Sequence, residues 1–179
     1  MKRIGIAGAG GIGSNVADNL IRMGFNDLKI VDFDRVEKSN LNRQFYFEDQ
    51  VGQKKVEALK KNLKRINSKA NLITNPSQIT DNSINTIFED CPIVVEGFDQ
   101  KKYKKIFLEN LAQSKELSVS ASGVAGNNIN NIKVKKVGQC HIVGDFTSDV
   151  QNKKLFASKV RYVAAKMSNI ILKKGTVHV

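Results

Sequence analysis

The stretch Ile4-Gly5-Ile6-Ala7-Gly8-Ala9-Gly10-Gly11-Ile12-Gly13 decides the fold. A short apolar run ends at glycines, after which Ile12, Val16, Leu20 and Met23 recur at helical spacing. The order is strand, glycine turn, helix. Gly8 to Gly13 satisfies Gly-x-Gly-x-x-Gly, in which glycines let the backbone turn tightly and approach phosphates while the helix N-terminus offers N–H donors and a favourable dipole. Gly24 is a C-terminal cap for that helix, and Leu28 to Val31 reads as a second buried strand, which completes a β-α-β unit. Asp32 ends this strand, where an acid takes the hydroxyls of a ribose. Up to this point a site for NAD and a site for ATP look the same.

Working outward, Val51 to Ile66 carries Val56, Leu59, Leu63 and Ile66 on one face of an amphipathic helix. Asn71 to Thr74 reads as a third strand, Ile84 to Phe88 as a short helix, and Ile93 to Val95 as a buried strand. Lys102 to Gln113 is helical, and Leu117 to Ala121 is another strand. Strands alternating with helices imply a parallel, doubly wound sheet. After Ala121 the pattern changes. Ile129 to Val137 alternates apolar and polar residues, and His141 to Val143 follows a turn signal at Gly138-Gln139, so a more antiparallel extension is expected. A last helix, Leu155 to Leu172, places Phe156, Val160, Val163, Ala164, Met167 and Ile171 on one face, to pack on the sheet or on a second subunit. The fold class is therefore α/β, a Rossmann-like doubly wound sheet in one domain, residues 1–179, with the nucleotide-binding part over 1–121 and the remainder over 122–179.

At 179 residues, 41% hydrophobic and 26% charged, with two prolines and no repeat, the composition is that of an ordinary soluble domain. No run approaches the roughly 18 apolar residues of a membrane span, and no secretory signal follows Met1, so a cytoplasmic protein is expected. Cys91 and Cys140 lie far apart and form no Cys-x-x-Cys pair, so zinc is not expected. The net charge of +12 fits acidic proteins, phosphates or nucleic acid. The lysines are dispersed on helix faces, and no nucleic-acid-binding signature accompanies them, which argues against nucleic acid.

The run Val31-Asp-Phe-Asp-Arg-Val-Glu-Lys-Ser-Asn-Leu-Asn-Arg-Gln44, followed by Gly52-Gln53-Lys54-Lys55, separates ATP from NAD. Joined to the glycine turn and to Asp99 after a later strand, it resembles the nucleotide site of the ThiF/MoeB/HesA family, adenylyltransferases related to ubiquitin-activating enzymes. Asp32 with Asp34, Ser39 to Gln44, Gly52 with Lys55, and Asp99 occur in the family's order, and the later stretches Ser122 to Asn128 and Ile142 to Asp145 extend the resemblance to its compact bacterial branch.

The resemblance implies that MgATP is bound and that the C-terminal carboxylate of a small ThiS-like sulfur carrier is adenylated, in thiamine thiazole synthesis. It implies Gly8, Gly10, Gly11 and Gly13 around the phosphates, Asp32 at the ribose, Arg43 and Lys55 on the polyphosphate, and Asp99 as the Mg²⁺ ligand. Asn42 and Gln44 would hydrogen-bond phosphate or carboxylate, and Asp34 would bind metal or orient Arg43. Residues 122–179 would carry the carrier-binding surface, and a homodimer is expected. In some dimeric relatives an arginine from an N-terminal extension reaches the phosphates. Here the first strand starts almost at Met1, so Lys104 or Lys159 is a candidate replacement. Cys140 is the better candidate for any covalent link to the carrier, although a packed or exposed thiol is the plainer reading. Two other readings stay open: a nucleotide-binding module for NAD or ATP without transferase activity, and adenylation of a peptide C-terminus or a modified tRNA nucleoside.

Overall fold

The computed structural model describes residues 2–174. Its strands are Ile4–Ala7 (β1), Asp27–Val31 (β2), Asn71–Asn75 (β3), Ile93–Glu96 (β4), Leu117–Ala121 (β5), Lys133–Val137 (β6) and Cys140–Gly144 (β7). The helices are Gly11–Arg22 (α1), Lys55–Ile66 (α2), the single turn Ile84–Ile87 (α3), Lys101–Asn110 (α4) and Ala157–Lys174 (α5). All seven strands form one sheet, in the order β3-β2-β1-β4-β5-β7-β6. Pairing is parallel from β3 through β7, and the antiparallel character expected after Ala121 is confined to β6 against β7. Sequence order reverses between β1 and β4. In such sheets ligands bind beyond the carboxyl ends of the strands at this reversal.

Alternation along the strands sorts the core into two layers. Ile4, Ile6, Leu28, Ile30, Ile93, Val95 and Val119 point to the side covered by α1, α2 and α5. Ala7, Val31 and Val94 point to the other side, where Phe88, Phe107 and Leu111 from α3 and α4 cover them. Val160, Val163, Ala164, Met167 and Ile171 are fully buried, and α5 lies along α1 and over β5 and β7. Full burial of each large aliphatic side chain contributes about 1.5–3 kcal/mol, so this strip is a principal anchor of the C-terminal part.

Several boundaries differ from the sequence reading, three of them for clear local reasons. The helix expected from Val51 begins at Lys55, because Gly52 has a φ of +88° and turns the chain out of any helix. Phe156 precedes α5 and is exposed, so it lies off the apolar face. Of the stretch from Ile129 to Val137, only Lys133–Val137 is strand, and all five residues are exposed on the sheet edge.

Candidate functional site

The glycine turn between β1 and α1 is fixed by the ends of its neighbours. The Gly8 N–H donates to the Val31 carbonyl at 2.8 Å. A Cβ at Gly13 would overlap the Gly8 carbonyl oxygen, so the turn closes only with glycine there. Asp32 is buried, and its carboxylate accepts the Ala9 N–H at 2.6 Å through Oδ2 and the Asp34 N–H at 2.7 Å through Oδ1. Burial pushes its pKa above the ordinary aspartate value against the opposing pull of Lys55 and these two N–H groups. Gly10 caps α1 without any side-chain hydrogen bond to the helix terminus, and Gly10, Gly11 and Ile12 line a cavity.

The segment Ser39 to Tyr46 is stapled onto this turn by three side-chain bonds. The Phe45 N–H donates to Ser14 Oγ at 3.0 Å, Asn15 Nδ2 donates to the Arg43 carbonyl at 2.8 Å, and the buried Tyr46 hydroxyl donates to the Ala9 carbonyl at 2.7 Å. The result is that Arg43 and Gln44 form one wall of the cavity. The Arg43 guanidinium donates to the Ser39 carbonyl at 2.9 Å and to Asn42 Oδ1 at 2.8 Å, and among the described residues no carboxylate pairs with it. Gln44 is buried, and its Oε1 has no hydrogen-bond partner among the described residues.

Two expectations shift with this geometry. Asn42 is exposed and stands outside the cavity, where it orients Arg43. Asp34 orients Lys55 and not Arg43: Lys55 Nζ lies 2.8 Å from Asp34 Oδ2, and the Lys55 N–H donates to the Asp34 carbonyl at 2.9 Å. Lys55 is only 6% exposed, unlike the exposed Lys54 beside it. The gathered cavity residues therefore include Gly8, Gly10, Gly11, Asp32, Asp34, Arg43, Gln44, Lys55 and Asp99, with Gly13 in the turn behind them.

Asp99 follows β4 on the facing wall. Its carboxylate is exposed and has no hydrogen bond or ion pair among the described residues. Asp99 does not cap the following helix: Gln100 occupies the cap of α4, and no side chain bonds to that terminus. Among the described residues no three His, Cys, Asp or Glu side chains converge as a metal cage. One carboxylate without a partner among the described residues, facing a glycine turn, nonetheless fits Mg²⁺, which is usually held by one or two carboxylates together with phosphate oxygens and water.

The remaining walls were not read from the sequence. Phe33, Phe98 and Tyr103 form an aromatic group beside Asp32, with ring centroids 6.1 Å apart for Phe33–Tyr103 and 5.4 Å for Phe98–Tyr103. Phe33 sits between the two acids singled out, so its place beside Asp32 was available from the motif. Residues 146–150 close the far side, and Phe146 adopts a φ of 63°, a conformation uncommon for a bulky residue and a store of local strain. The cavity holds about 380 Å³, within the usual range for small-molecule sites.

Neither lysine named as a stand-in for an arginine from an N-terminal extension presents a free ammonium. Lys104 Nζ donates to Glu96 Oε1 and Oε2 at 2.9 and 2.8 Å and to the Ala121 carbonyl at 3.0 Å. Lys159 is buried, and its Nζ donates at 2.6 Å to both Asp145 Oδ2 and the Ala125 carbonyl. The Asp145 carboxylate in turn accepts the Thr147 and Ser148 N–H groups at 2.9 and 2.8 Å. Burial opposes its ionisation, but these bonds outweigh that penalty and hold its pKa well below the ordinary carboxylate range. Cys140 is buried on β7 away from the cavity, and burial, with the Glu96 charge behind it, pushes its thiol up to about 11. Its burial and its distance from the cavity place this thiol away from the chemistry gathered there.

The fold and this cavity define a doubly wound α/β domain with a glycine turn at its topological switch point. Residues 1–168 match the ThiF family, and the chain belongs to that family. The ubiquitin-like modifier-activating enzyme 5 of Drosophila persimilis is 41% identical over 103 residues, which is 55% of this chain and 27% of the relative. The chain thus spans about a quarter of that relative's length. Among solved structures, E. coli tRNA N6-threonylcarbamoyladenosine dehydratase, TcdA, in complex with AMP superposes with a TM-score of 0.88 at 20% identity, covering 97% of this chain and 85% of that one. E. coli MccB, solved with AMPCPP and MccA, gives a TM-score of 0.75 at 22% identity, covering 96% of this chain and 55% of that one.

Proposed function

We propose that the protein is an ATP-dependent adenylyltransferase that activates a carboxylate. The observation that carries this reading is the convergence of Arg43, Lys55 and Asp99 on one cavity with the glycine turn, two cations and one carboxylate unpaired among the described residues around the place where phosphates would lie. A carboxylate is already a nucleophile at neutral pH, so no general base is required. Its oxygen attacks the α-phosphorus, the bond to the bridging oxygen of pyrophosphate breaks, and an acyl-adenylate forms. The rate then depends on alignment and on offsetting charge at the phosphorus.

Asp32 binds the ribose with its remaining lone pairs, and Phe33, Phe98 and Tyr103 take the base. Arg43 and Lys55 neutralise the polyphosphate, their heads pre-set by Asn42 and Asp34. Asp99, exposed and unpaired among the described residues, would hold Mg²⁺, which supplies charge neutralisation when bound.

The acceptor in this reading is the C-terminal carboxylate of a ubiquitin-fold sulfur carrier of the ThiS type, with thiamine thiazole synthesis as its setting. Its support is the family's ubiquitin-like-activating relatives, the sequence resemblance to the compact bacterial branch and the +12 charge, which suits an acidic protein surface. The homodimer expected from the family belongs to the same reading. A second acceptor, the carboxylate of a modified tRNA nucleoside, is favoured by the near-full-length likeness to TcdA.

Pyrophosphate–ATP exchange with purified protein tests these readings. We expect exchange that depends on an added ThiS-like carrier and falls by about 10²- to 10³-fold in Arg43→Ala and Asp99→Ala, the usual cost of removing a transition-state charge contact. Exchange with tRNA alone selects the second acceptor, and no exchange with either overturns the adenylation reading.

A further inference from the structure

Asp99 is surrounded in sequence by cations, with Lys101, Lys102, Lys104 and Lys105 all within six residues, yet its carboxylate is unpaired among the described residues. Three of these four lysines are engaged elsewhere. Lys104 is held by Glu96, which is fully buried at the end of β4 and accepts four bonds: two from Lys104, one from the Phe98 N–H at 2.7 Å and one from Ser120 Oγ at 2.6 Å. Lys101, which also lines the cavity, pairs with Asp149 at 3.1 Å across the loop on the far wall. Lys105 pairs with Glu109 at 3.7 Å on the outer face of α4. Lys102 has no carboxylate partner among the described residues, but it does not line the cavity.

Burying a carboxylate as deeply as Glu96 is costly unless it is paired and hydrogen-bonded, and replacing the pair by apolar groups is often neutral or stabilising. The pair therefore calls for an explanation other than stability. From these contacts we infer that Glu96, assisted by Asp149, is a positioning residue that diverts neighbouring lysines from Asp99 and so keeps that carboxylate available to a divalent cation. This inference rests on the reading of Asp99 as the Mg²⁺ ligand. Without Glu96, the Lys104 ammonium, five residues along and on the same cavity wall, would neutralise Asp99 and compete with the metal.

The test is binding, without any acceptor. A fluorescent ATP analogue is titrated against the protein with and without Mg²⁺, and thermal stability is measured alongside. In the parent protein Mg²⁺ tightens nucleotide binding. Glu96→Gln lowers that enhancement at least about fivefold, the low end of a coupling between sites. Lys104→Met retains the enhancement although it leaves Glu96 buried without its cation and melts lower, and Glu96→Gln/Lys104→Met recovers it. A purely structural pair would behave symmetrically, so equal loss of the Mg²⁺ effect in the two single variants overturns the inference. If Glu96→Gln does not fold, the surface pair decides. Asp149→Asn should lower the enhancement about twofold, in keeping with an exposed pair, and Asp149→Asn/Lys101→Met should restore it. An unchanged Asp149→Asn, or a double variant that stays weak, overturns the inference. Nucleotide binding that ignores Mg²⁺ in the parent protein removes the role of Asp99 on which it rests, and no nucleotide binding at all overturns the functional reading as well.

Discussion

The two sides of the cavity are built in different ways. On the glycine side, residues 8–13, 32–34 and 39–46 are tied together by many short bonds between side chains and backbone, with Ser14, Asn15, Asp32 and Tyr46 each holding a different stretch of chain. On the far side, residues 145–150 are held by two lysines from separate helices, Lys159 through Asp145 and Lys101 through Asp149, and by the Asp145 and Phe146 N–H groups on the Gly123 and Ser122 carbonyls, and they include the strained Phe146. Redundant local anchoring suits a ligand that never varies, such as a nucleotide. A wall fixed by two lysines reaching in from α4 and α5 can be rebuilt without disturbing the glycine side, which suits a surface that meets a variable partner.

Substitutions can break that contrast. The largest effect is expected from Lys159→Met, which leaves the half-buried Asp145 without its cation; a loss of up to about 3 kcal/mol, the low end for a buried pair, is read as a fall in the midpoint of chemical unfolding. Should the variant fold, its ATP affinity is expected to survive better than its affinity for acceptor. Next is Gly13→Ala, whose methyl overlaps the Gly8 carbonyl. Nucleotide binding measured by calorimetry should drop by at least about tenfold, since the turn must open to admit the methyl. Tyr46→Phe removes one of several staples and should cost only about 1 kcal/mol, with a KM for ATP raised a few-fold and kcat nearly unchanged. Equal effects of Lys159→Met and Tyr46→Phe would show that the two walls are anchored alike.

The smallest effect lies at the opposite end of the sheet, where Asp90 bonds with Lys29 and Arg3. Partial burial opposes its ionisation, but those cations win and hold its pKa down at about 2, below the ordinary aspartate value. A depressed carboxylate stabilises the fold above its unfolded pKa, so this contribution is present above about pH 4 and is lost as pH falls through about 2. Because the pair is well exposed the effect is small, and an acid titration of Asp90→Asn against the parent should show the difference shrinking over that window.

The glycine side was legible because its parts are close in sequence. Strand, turn and helix follow in fewer than twenty residues, and the acids at 32 and 34 lie at the end of the next strand. The partners within it were harder. Nothing in a linear motif says that Asp34 will meet Lys55 and not Arg43, because that depends on the Gly52 turn that delays α2 by a full turn of chain. The far wall was illegible for a stronger reason. Thr147 and Ser148 reach the cavity only because β7 pairs in parallel with β5, and because Lys159 reaches back fourteen residues to Asp145 from α5. Both facts are decided by tertiary packing. The exposed lysines of β6 were counted as part of a basic charge and not recognised as a sheet edge.

That edge has a consequence for how the protein behaves in solution. A strand with Val134 and Val137 open to water and one row of backbone groups unpaired is a template on which another strand could add. Lys133, Lys135 and Lys136 set like charges opposite one another whenever two copies approach along it. The same lysines that contribute to the net charge thus act as a guard against self-association, and one that added salt would weaken.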